Sequence, residues 1–485
     1  MQNEIELKLE LDDAGADAIV ASGLHRQVCT AARLHSSYFD TCDFALRGAG
    51  LSLRLRESDG LIIQTVKADG PASAGLFDRA EWELPVSGAQ PIADPRTPVA
   101  ALLGDRSGDL AERFTVAVER KTWRFTTRKG EIEMSLDCGE VRAAERCEHF
   151  CELELELIRG EPATLFDLAK KIGTLAPVRI GMLTKPERGY RLLGPLPASR
   201  KAGTPRLDQA MPLPDAFALI AQHCIGHYRH NESILLGHRS VEAVHQARIA
   251  LRRLRSALTL FRAMLPQPET RHFQSRLRAL ADTLGEARDL DVLCASAGSD
   301  PVGERLATAR EEAYARVATA LADEDPRRLM LDLLAWLLCG DWRHDRATAA
   351  VRAITPGQFA GSALDRAYRK VRKHSKHLAS LSPELRHELR KDAKKLRYTI
   401  EFLSSLYPSR EQTRQRKKFV KAFAALQDDL GALNDRGVAE SYLGRLGLTD
   451  FAGAETFLAR WDQSGLLKDA SDTRNQLFDL KPFWR

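Results

Sequence analysis

Residues 4–11 read Glu-Ile-Glu-Leu-Lys-Leu-Glu-Leu, a strict alternation of charged and aliphatic side chains. In an extended segment, successive side chains point to opposite faces. Glu4, Glu6, Lys8 and Glu10 therefore share one face, and Ile5, Leu7, Leu9 and Leu11 share the other. The same period returns along the first 160 residues. Leu51–Arg56 puts Arg54 and Arg56 on one face, and Thr65-Val66-Lys67 adds a lysine. Arg79, Glu81 and Glu83 alternate, as do Arg120, Thr122 and Arg124, then Glu133, Ser135 and Asp137. Finally Glu152, Glu154 and Glu156 alternate with Leu153, Leu155 and Leu157. A closed antiparallel barrel accommodates charge of both signs on strand after strand: the apolar face packs outward under helices and the charged face lines a polar lumen. Such a lumen suits a polyanion carried with divalent metal.

A chain of 485 residues has room for two or more domains, each with its own core. The charge is uneven along it. Residues 1–200 hold 26 Lys and Arg against 31 Asp and Glu, and residues 201–485 hold 46 against 35. An acidic first part favours cations, and a basic second part favours an anionic partner. No apolar run is long enough to span a bilayer, and the N-terminus is acidic and strand-like rather than a signal sequence, so a cytoplasmic protein without a membrane partner is expected. The eight cysteines are scattered with no Cys-x-x-Cys pair, so free thiols are expected and neither a disulfide framework nor a cysteine zinc site.

Breakers from Gly194 and Pro195 through Gly203, Pro205, Pro212 and Pro214 mark a linker. The expected organisation is a first domain over 1–194, a linker over 195–214 and a second domain over 215–485. Helices in the first domain are expected near Ala14–Ser22, Pro98–Leu103 and Ala163–Ile172. The second domain reads as amphipathic helix almost throughout and contains a repeat. His245 is followed by Arg248, Arg252, Arg253 and Arg255, and His387 by Arg390, Lys394, Lys395 and Arg397. In each copy the +3, +7 and +10 positions share a helical face with the histidine. Some forty residues later come Leu284-Gly285-Glu286-Ala287-Arg288-Asp289 and Leu430-Gly431-Ala432-Leu433-Asn434-Asp435. Two related helical bundles with facing basic helices are expected, the Arg288-to-Asn434 change making them unequal binders.

Glu4-x-Glu6-x-Lys8, Leu53-Arg54-Leu55-Arg56, Thr65-x-Lys67, Arg79-x-Glu81-x-Glu83, Glu152-Leu153-Glu154 and Lys185-Pro186-Glu187-Arg188-Gly189-Tyr190 together resemble the CYTH family, the triphosphate tunnel metalloenzymes. The repeated histidine and basic helices resemble CHAD, a helical domain often fused behind CYTH in bacteria. The resemblance implies an α+β domain with a closed antiparallel eight-stranded barrel and flanking helices, followed by an all-α domain of two bundles. It implies phosphate contacts at Lys8, Arg54, Arg56, Lys67, Arg79, Arg120 and Lys185, with Arg124 evenly balanced between substrate contact and structural pairing. Glu4, Glu6, Asp137, Glu152 and Glu154 would hold metal, and oxygen ligands of this kind suit Mg²⁺ or Mn²⁺. Glu4, Glu6 and Lys8 are the expected catalytic set.

The activity implied is metal-dependent hydrolysis of inorganic triphosphate to diphosphate and phosphate. The alternatives are a non-catalytic polyphosphate binder and another tunnel chemistry, thiamine triphosphatase or adenylate cyclase. His245, Arg248, Arg252, Arg255, His387, Arg390, Lys394 and Arg397 are the expected polyphosphate-binding residues. Nucleic acid is disfavoured because aromatic stacking platforms are not evident on these faces. Glu10, Glu81, Glu83, Glu133 and Glu156 have plain structural readings as partners of basic neighbours. Thr184 stands where the family often has serine and keeps the hydroxyl. The preferred ion and the oligomeric state are not encoded in any motif.

Overall fold

The computed structural model describes residues 2–24, 30–58, 60–68, 74–297, 301–451, 453–460 and 465–485, without the side chains of residues 2–4, 58 and 78. The chain divides into two units, Met1–Ala198 with Asp323–Gly340, and Ser199–Ala322 with Asp341–Arg485.

Among the described residues the first unit has nine strands: β1 (Gln2–Leu11), β2 (Thr30–Asp40), β3 (Leu51–Ser58), β4 (Leu61–Ala68), β5 (Leu76–Val86), β6 (Ala111–Thr126), β7 (Gly130–Ala143), β8 (Arg146–Gly160) and β9 (Arg179–Ile180). They form one curled antiparallel sheet in the order β5-β4-β3-β2-β6-β7-β8-β1-β9. β5 also pairs with β1, Gln2–Leu7 against Leu76–Glu81, so the curl brings these two strands together. The second half of β1 is taken by β9, with Leu9 opposite Ile180 and Glu10 opposite Arg179. The expected eight strands are therefore nine. A two-residue strand is too short to show a period in sequence.

Alternation sorts the side chains. Leu7, Leu9, Leu53, Leu55, Val66, Leu153 and Leu155 are buried on the outer face. Leu46, Val99 and Leu103, from the short helices Ala45–Gly48 and Pro98–Leu103, close over the β3–β4 part of that face. The helix Ala163–Gly173 packs on β8, β1 and β7, burying Leu165, Phe166, Ala169 and Ile172. The helix Glu324–Cys339, drawn from much later in the chain, packs on Ala163–Gly173 and β9.

One end of the inner face is filled rather than open. Phe114, Val116, Val118, Val141 and Phe150 cluster there with Tyr190 and Leu192 of the helix Lys185–Leu192. Thr184 caps this helix: its hydroxyl accepts from Glu187 N, while the Glu187 carboxylate accepts from Thr184 N at 2.8 Å. Pro186 fits the first turn, where no N–H is needed. Gly189 lies flat against Phe114, and a Cβ there would come within 2.2 Å of the ring.

The cysteine expectation is corrected at one pair. Cys138 and Cys151 are directly opposite on β7 and β8, and they form a disulfide. Strand register, which the sequence spacing does not reveal, places them together. Cys42, Cys147, Cys224, Cys294 and Cys339 are free.

The second unit is helical. Leu213–Gly237, Val241–Leu260, Gln267–Ser296 and Pro301–Ala322 pack in succession, and so do Pro356–His374, Pro383–Leu403 and Arg410–Arg445, with Leu466–Asp479 against the last. Val241–Leu260 and Pro383–Leu403, the two basic helices of the repeat, pack on each other. Among the described residues, no helix is long and apolar enough to cross a membrane.

Candidate active site

The inner face of the curled sheet surrounds a cavity of roughly 170 Å³. Lys8, Arg54, Arg56, Lys67, Arg79, Arg120 and Lys185 all line it, along with Glu81, Glu83 and Glu154. Strand parity delivers all but Lys185, which enters from the first turn of the capped helix.

The floor is a balanced ionic lattice. Lys8 Nζ lies 3.2 Å from Glu152 Oε1 and 2.7 Å from Glu154 Oε1. Lys185 Nζ lies 2.7 Å from Asp137, 2.5 Å from Glu152 and 2.9 Å from Glu154. Arg120 grips Asp137 with two bonds of 2.6 Å and reaches Glu154 at 2.6 Å. Glu6, also buried, pairs with Arg79. Burial opposes each charge, but the opposite charges win. Glu152, Glu154 and Glu6 raise Lys8 above the ordinary lysine range, and Lys185, Lys8 and Arg120 hold Glu154 well below the carboxylate range. Lys185 rises and Asp137 falls for the same reason.

The wall above is different. Arg56 is pulled down to about 10, first by burial and then by repulsion from Arg54 and Arg120. Its Nε donates to Ser36 Oγ at 3.3 Å. Among the described residues, no carboxylate lies within ion-pair distance of it. Arg54 Nε is buried without a hydrogen-bond partner, and the nearest carboxylate to its guanidinium, that of Glu81, is 4.0 Å away. Tyr38, directly opposite Arg54, lines the same cavity. Burial would raise its hydroxyl, but Arg54, Arg56 and Lys185 bring it below the ordinary tyrosine value. This wall carries more cations and donors than anions, since Glu81 is shared between Lys67 at 3.1 Å and Arg54 at 4.0 Å.

The donor set also fits a divalent ion. One carboxylate oxygen from each of Asp137, Glu152 and Glu154 lies within 4.8 Å of the others. Glu152 Oε2 is buried without a hydrogen bond.

In the helical unit the basic repeat converges only in part. Arg248, Arg252, Arg390 and Lys394 act on one another through space. Lys394 falls to about 7, first through burial and then through the repulsion of Arg252, Arg390 and Arg248. Asp289 pairs with Arg248 at 2.7 Å, and Asp435 stands against Arg390. The two segments matched in sequence thus supply matched counter-ions. His245 is driven to about 4 by burial and then by Arg288, whereas His387 meets Asn434 Oδ1 at 3.1 Å. Arg397 turns back to Glu401 of its own helix at 2.8 Å. Arg255 is lowered by burial, and its Nε has no hydrogen bond.

Two family models match this chain, the CYTH domain over residues 2–190 and the CHAD domain over residues 219–444. The chain is a CYTH domain followed by a CHAD domain. An inorganic triphosphatase of Haemophilus influenzae is 28% identical over 166 residues, which is 33% of this chain and 46% of that protein. An uncharacterised protein of Mycobacterium tuberculosis is 35% identical over 190 residues, 35% of this chain and 36% of that protein. The chain thus spans less than half the length of these curated relatives. Among solved structures, the CHAD domain of Ricinus communis is 30% identical, with 59% of this chain and 98% of that chain covered at a TM-score of 0.49. A Hippeastrum protein described as having a dominant triphosphatase activity is 20% identical, covering 40% of this chain and 98% of that one at a TM-score of 0.31.

Within the CYTH domain, the structure gathers Glu6, Lys8, Arg54, Arg56, Lys67, Arg79, Arg120, Asp137, Glu152, Glu154 and Lys185 around one cavity or its floor. Arg124 is on the expected face but outside the cavity, largely exposed and 3.2 Å from Glu133. Glu4 is opposite Arg79 in the β1–β5 ladder, and its side chain lies outside the described residues. Sequence reasoning missed Tyr38, which looks like any core aromatic. It also left open Arg188, which bonds Glu148 at 2.7 Å and Glu10 at 3.3 Å. The plain readings hold for Glu10 and for Glu81 beside Lys67 at 3.1 Å, whereas Glu83 accepts from the Thr65 hydroxyl at 3.3 Å rather than from a basic neighbour. In the CHAD domain, Arg253, passed over in the repeat, is buried against Glu401 and Phe402.

Proposed function

We propose that the CYTH domain hydrolyses inorganic triphosphate to diphosphate and phosphate, with the curled nine-stranded sheet serving as the tunnel, and that the CHAD domain binds polyphosphate. The observation that carries this reading is the division of the cavity. Arg54 and Arg56 form a cationic wall that is under-neutralised: Arg56 has no carboxylate in ion-pair range among the described residues, and Arg54 has only Glu81 at 4.0 Å, which Lys67 already holds at 3.1 Å, while the floor's carboxylates already hold cations. A linear polyanion fills that deficit, and a neutral substrate would not.

In this reading Arg54, Arg56, Lys67 and Arg79 bind the phosphate oxygens and keep the chain in register. Forked guanidinium donors fix orientation, and the lysine acts as a point charge. Asp137, Glu152 and Glu154, with Glu4 and Glu6, would hold Mg²⁺ or Mn²⁺. Bound there, the ion would supply charge for phosphoryl transfer and polarise water. With an ion on those carboxylates, Lys8, Lys185 and Arg120 would be free to turn to the phosphate and stabilise charge at the terminal group. Water attacks the terminal phosphorus, the bridging P–O bond breaks, and diphosphate leaves with the electron pair. No covalent enzyme intermediate is needed. Catalysis is positioning and charge stabilisation.

The deciding experiment is phosphate release by the full chain from tripolyphosphate, ATP, thiamine triphosphate and long-chain polyphosphate, each with Mg²⁺ or Mn²⁺. Preference for tripolyphosphate supports the proposal. Preference for ATP or thiamine triphosphate moves the chain to another tunnel chemistry, and tight binding of all four without turnover leaves a binding protein. Glu6→Gln removes a charge and keeps the shape. It should sharply lower turnover at limiting metal, and unchanged turnover would remove Glu6 from the metal set.

A further inference from the structure

On the outer face of the β7–β8 hairpin, away from the phosphate cavity, three different ligand types meet. Register places Glu140 opposite His149 and Arg142 opposite Cys147, so all four side chains share that face. The Cys147 thiol lies 3.3 Å from Glu140 Oε2, and His149 Nε2 lies 4.0 Å from the same oxygen. One donor atom from each of Glu140, Cys147 and His149 lies within 4.8 Å of the other two. Cys147 and His149 are exposed, and Glu140 is half-buried, so the site is open to solvent.

We propose that Glu140, Cys147 and His149 form a Zn²⁺ site separate from the phosphate cavity, with solvent as the fourth ligand. A thiolate, an imidazole and a carboxylate are a borderline-soft set that selects zinc-like ions over Mg²⁺ or Mn²⁺. Ligand bonds of about 2.0–2.3 Å put the donors of a tetrahedral site roughly 3.3–3.8 Å apart. The spacing around Glu140 Oε2 is already close to this, and small side-chain rotations suffice. The Cys147 proton is released to solvent on binding, and no electron is transferred.

A competitor is built into the same face. Arg142 forms an ion pair with Glu140, and it must give up that carboxylate when an ion binds. The neighbouring set of Asp13, Cys138 and Cys151 is not an equivalent site, because its two sulfurs are bonded to each other.

The test uses the full chain without added reductant, titrated with Co²⁺ as a spectroscopic stand-in and with Zn²⁺ in competition with a chromophoric chelator. A thiolate-to-Co²⁺ absorption band is expected in the wild type and in Cys42→Ser, and absent in Cys147→Ser. Zn²⁺ affinity should fall tenfold or more in Cys147→Ser and His149→Ala. In Arg142→Gln it should rise, because Glu140 is freed. The tunnel carboxylates can bind Co²⁺ but cannot give a thiolate band. No band in the wild type, a band that survives Cys147→Ser, or full Zn²⁺ affinity in His149→Ala overturns the site.

Discussion

Lys185 Nζ and Glu152 Oε1 are 2.5 Å apart, and both side chains are buried at the floor of the cavity. The lysine is supplied by a capped helix and the glutamate by β8, so one contact ties the plug helix to the barrel wall. Removing one partner of a buried pair leaves an uncompensated charge and costs about 3–5 kcal/mol. Lys185→Met is therefore expected to lower the thermal midpoint at neutral pH. Glu154 and Asp137 have folded-state values below their unfolded ones. Their stabilisation is present above about pH 4 and is lost as pH falls through the lower folded values. Without Lys185 those folded values rise, so acid unfolding of Lys185→Met should begin at higher pH than in the wild type. Circular dichroism against pH for the two proteins checks this.

Arg56→Ala should behave in the opposite way. The guanidinium is repelled by Arg54 and Arg120 in the free protein, so its removal should leave the thermal midpoint unchanged or raise it. Tripolyphosphate should nevertheless lose a charged hydrogen bond worth about 1.5–3 kcal/mol, roughly tenfold or more in KM or Kd. A lower thermal midpoint with unchanged substrate affinity would mean that Arg56 is structural.

Gly189→Ala tests the plug. Its Cβ would sit 2.2 Å from Phe114, in a cluster that includes Tyr190, which stacks edge-on against the same ring. Overpacking of this kind costs about 1–3 kcal/mol. Chemical denaturation should show that loss, and Gly194→Ala, with nothing within 4 Å of the new Cβ, should show none.

In the CHAD domain the pH response belongs to a lysine. Lys394 titrates near 7, so it carries charge below that pH and loses it above. Polyphosphate binding should weaken as pH rises from about 6 to 8, and Lys394→Arg should remove that part of the dependence. His245, held near 4, is neutral throughout this window, so His245→Gln should leave the slope in place. Calorimetric titration of the full chain with long polyphosphate distinguishes these outcomes. A slope that disappears in His245→Gln would return the role to the histidine.

The barrel face was legible because strand parity depends only on local alternation. Once Leu7 and Leu9 are buried outward, Lys8 must face the cavity. Parity gives a side but not a depth, and Arg124 is on the correct face yet beyond the cavity. Register was not legible. Cys138 and Cys151 meet only because the β7–β8 hairpin turns where it does, and the two residues of β9 carry no period. The basic repeat brings Arg248, Arg252, Arg390 and Lys394 together, but nothing in it marks which side chain responds to pH near neutrality. Burial beside arginines, which the sequence does not display, depresses His245 and shifts that response to Lys394. Arg397 left the expected cluster because Glu401, four residues on, is the nearer partner.

The helix Glu324–Cys339 belongs to the first unit although more than a hundred residues of the second precede it in the chain. During synthesis, the N-terminal strands therefore emerge long before the last element that packs on Ala163–Gly173 and β9. At about 5–20 residues per second, the roughly 140 residues between Ala198 and Gly340 take on the order of ten seconds to make. For that interval the nascent barrel waits with one flank uncovered, and the apolar residues there are open to chaperones or to a neighbouring nascent chain.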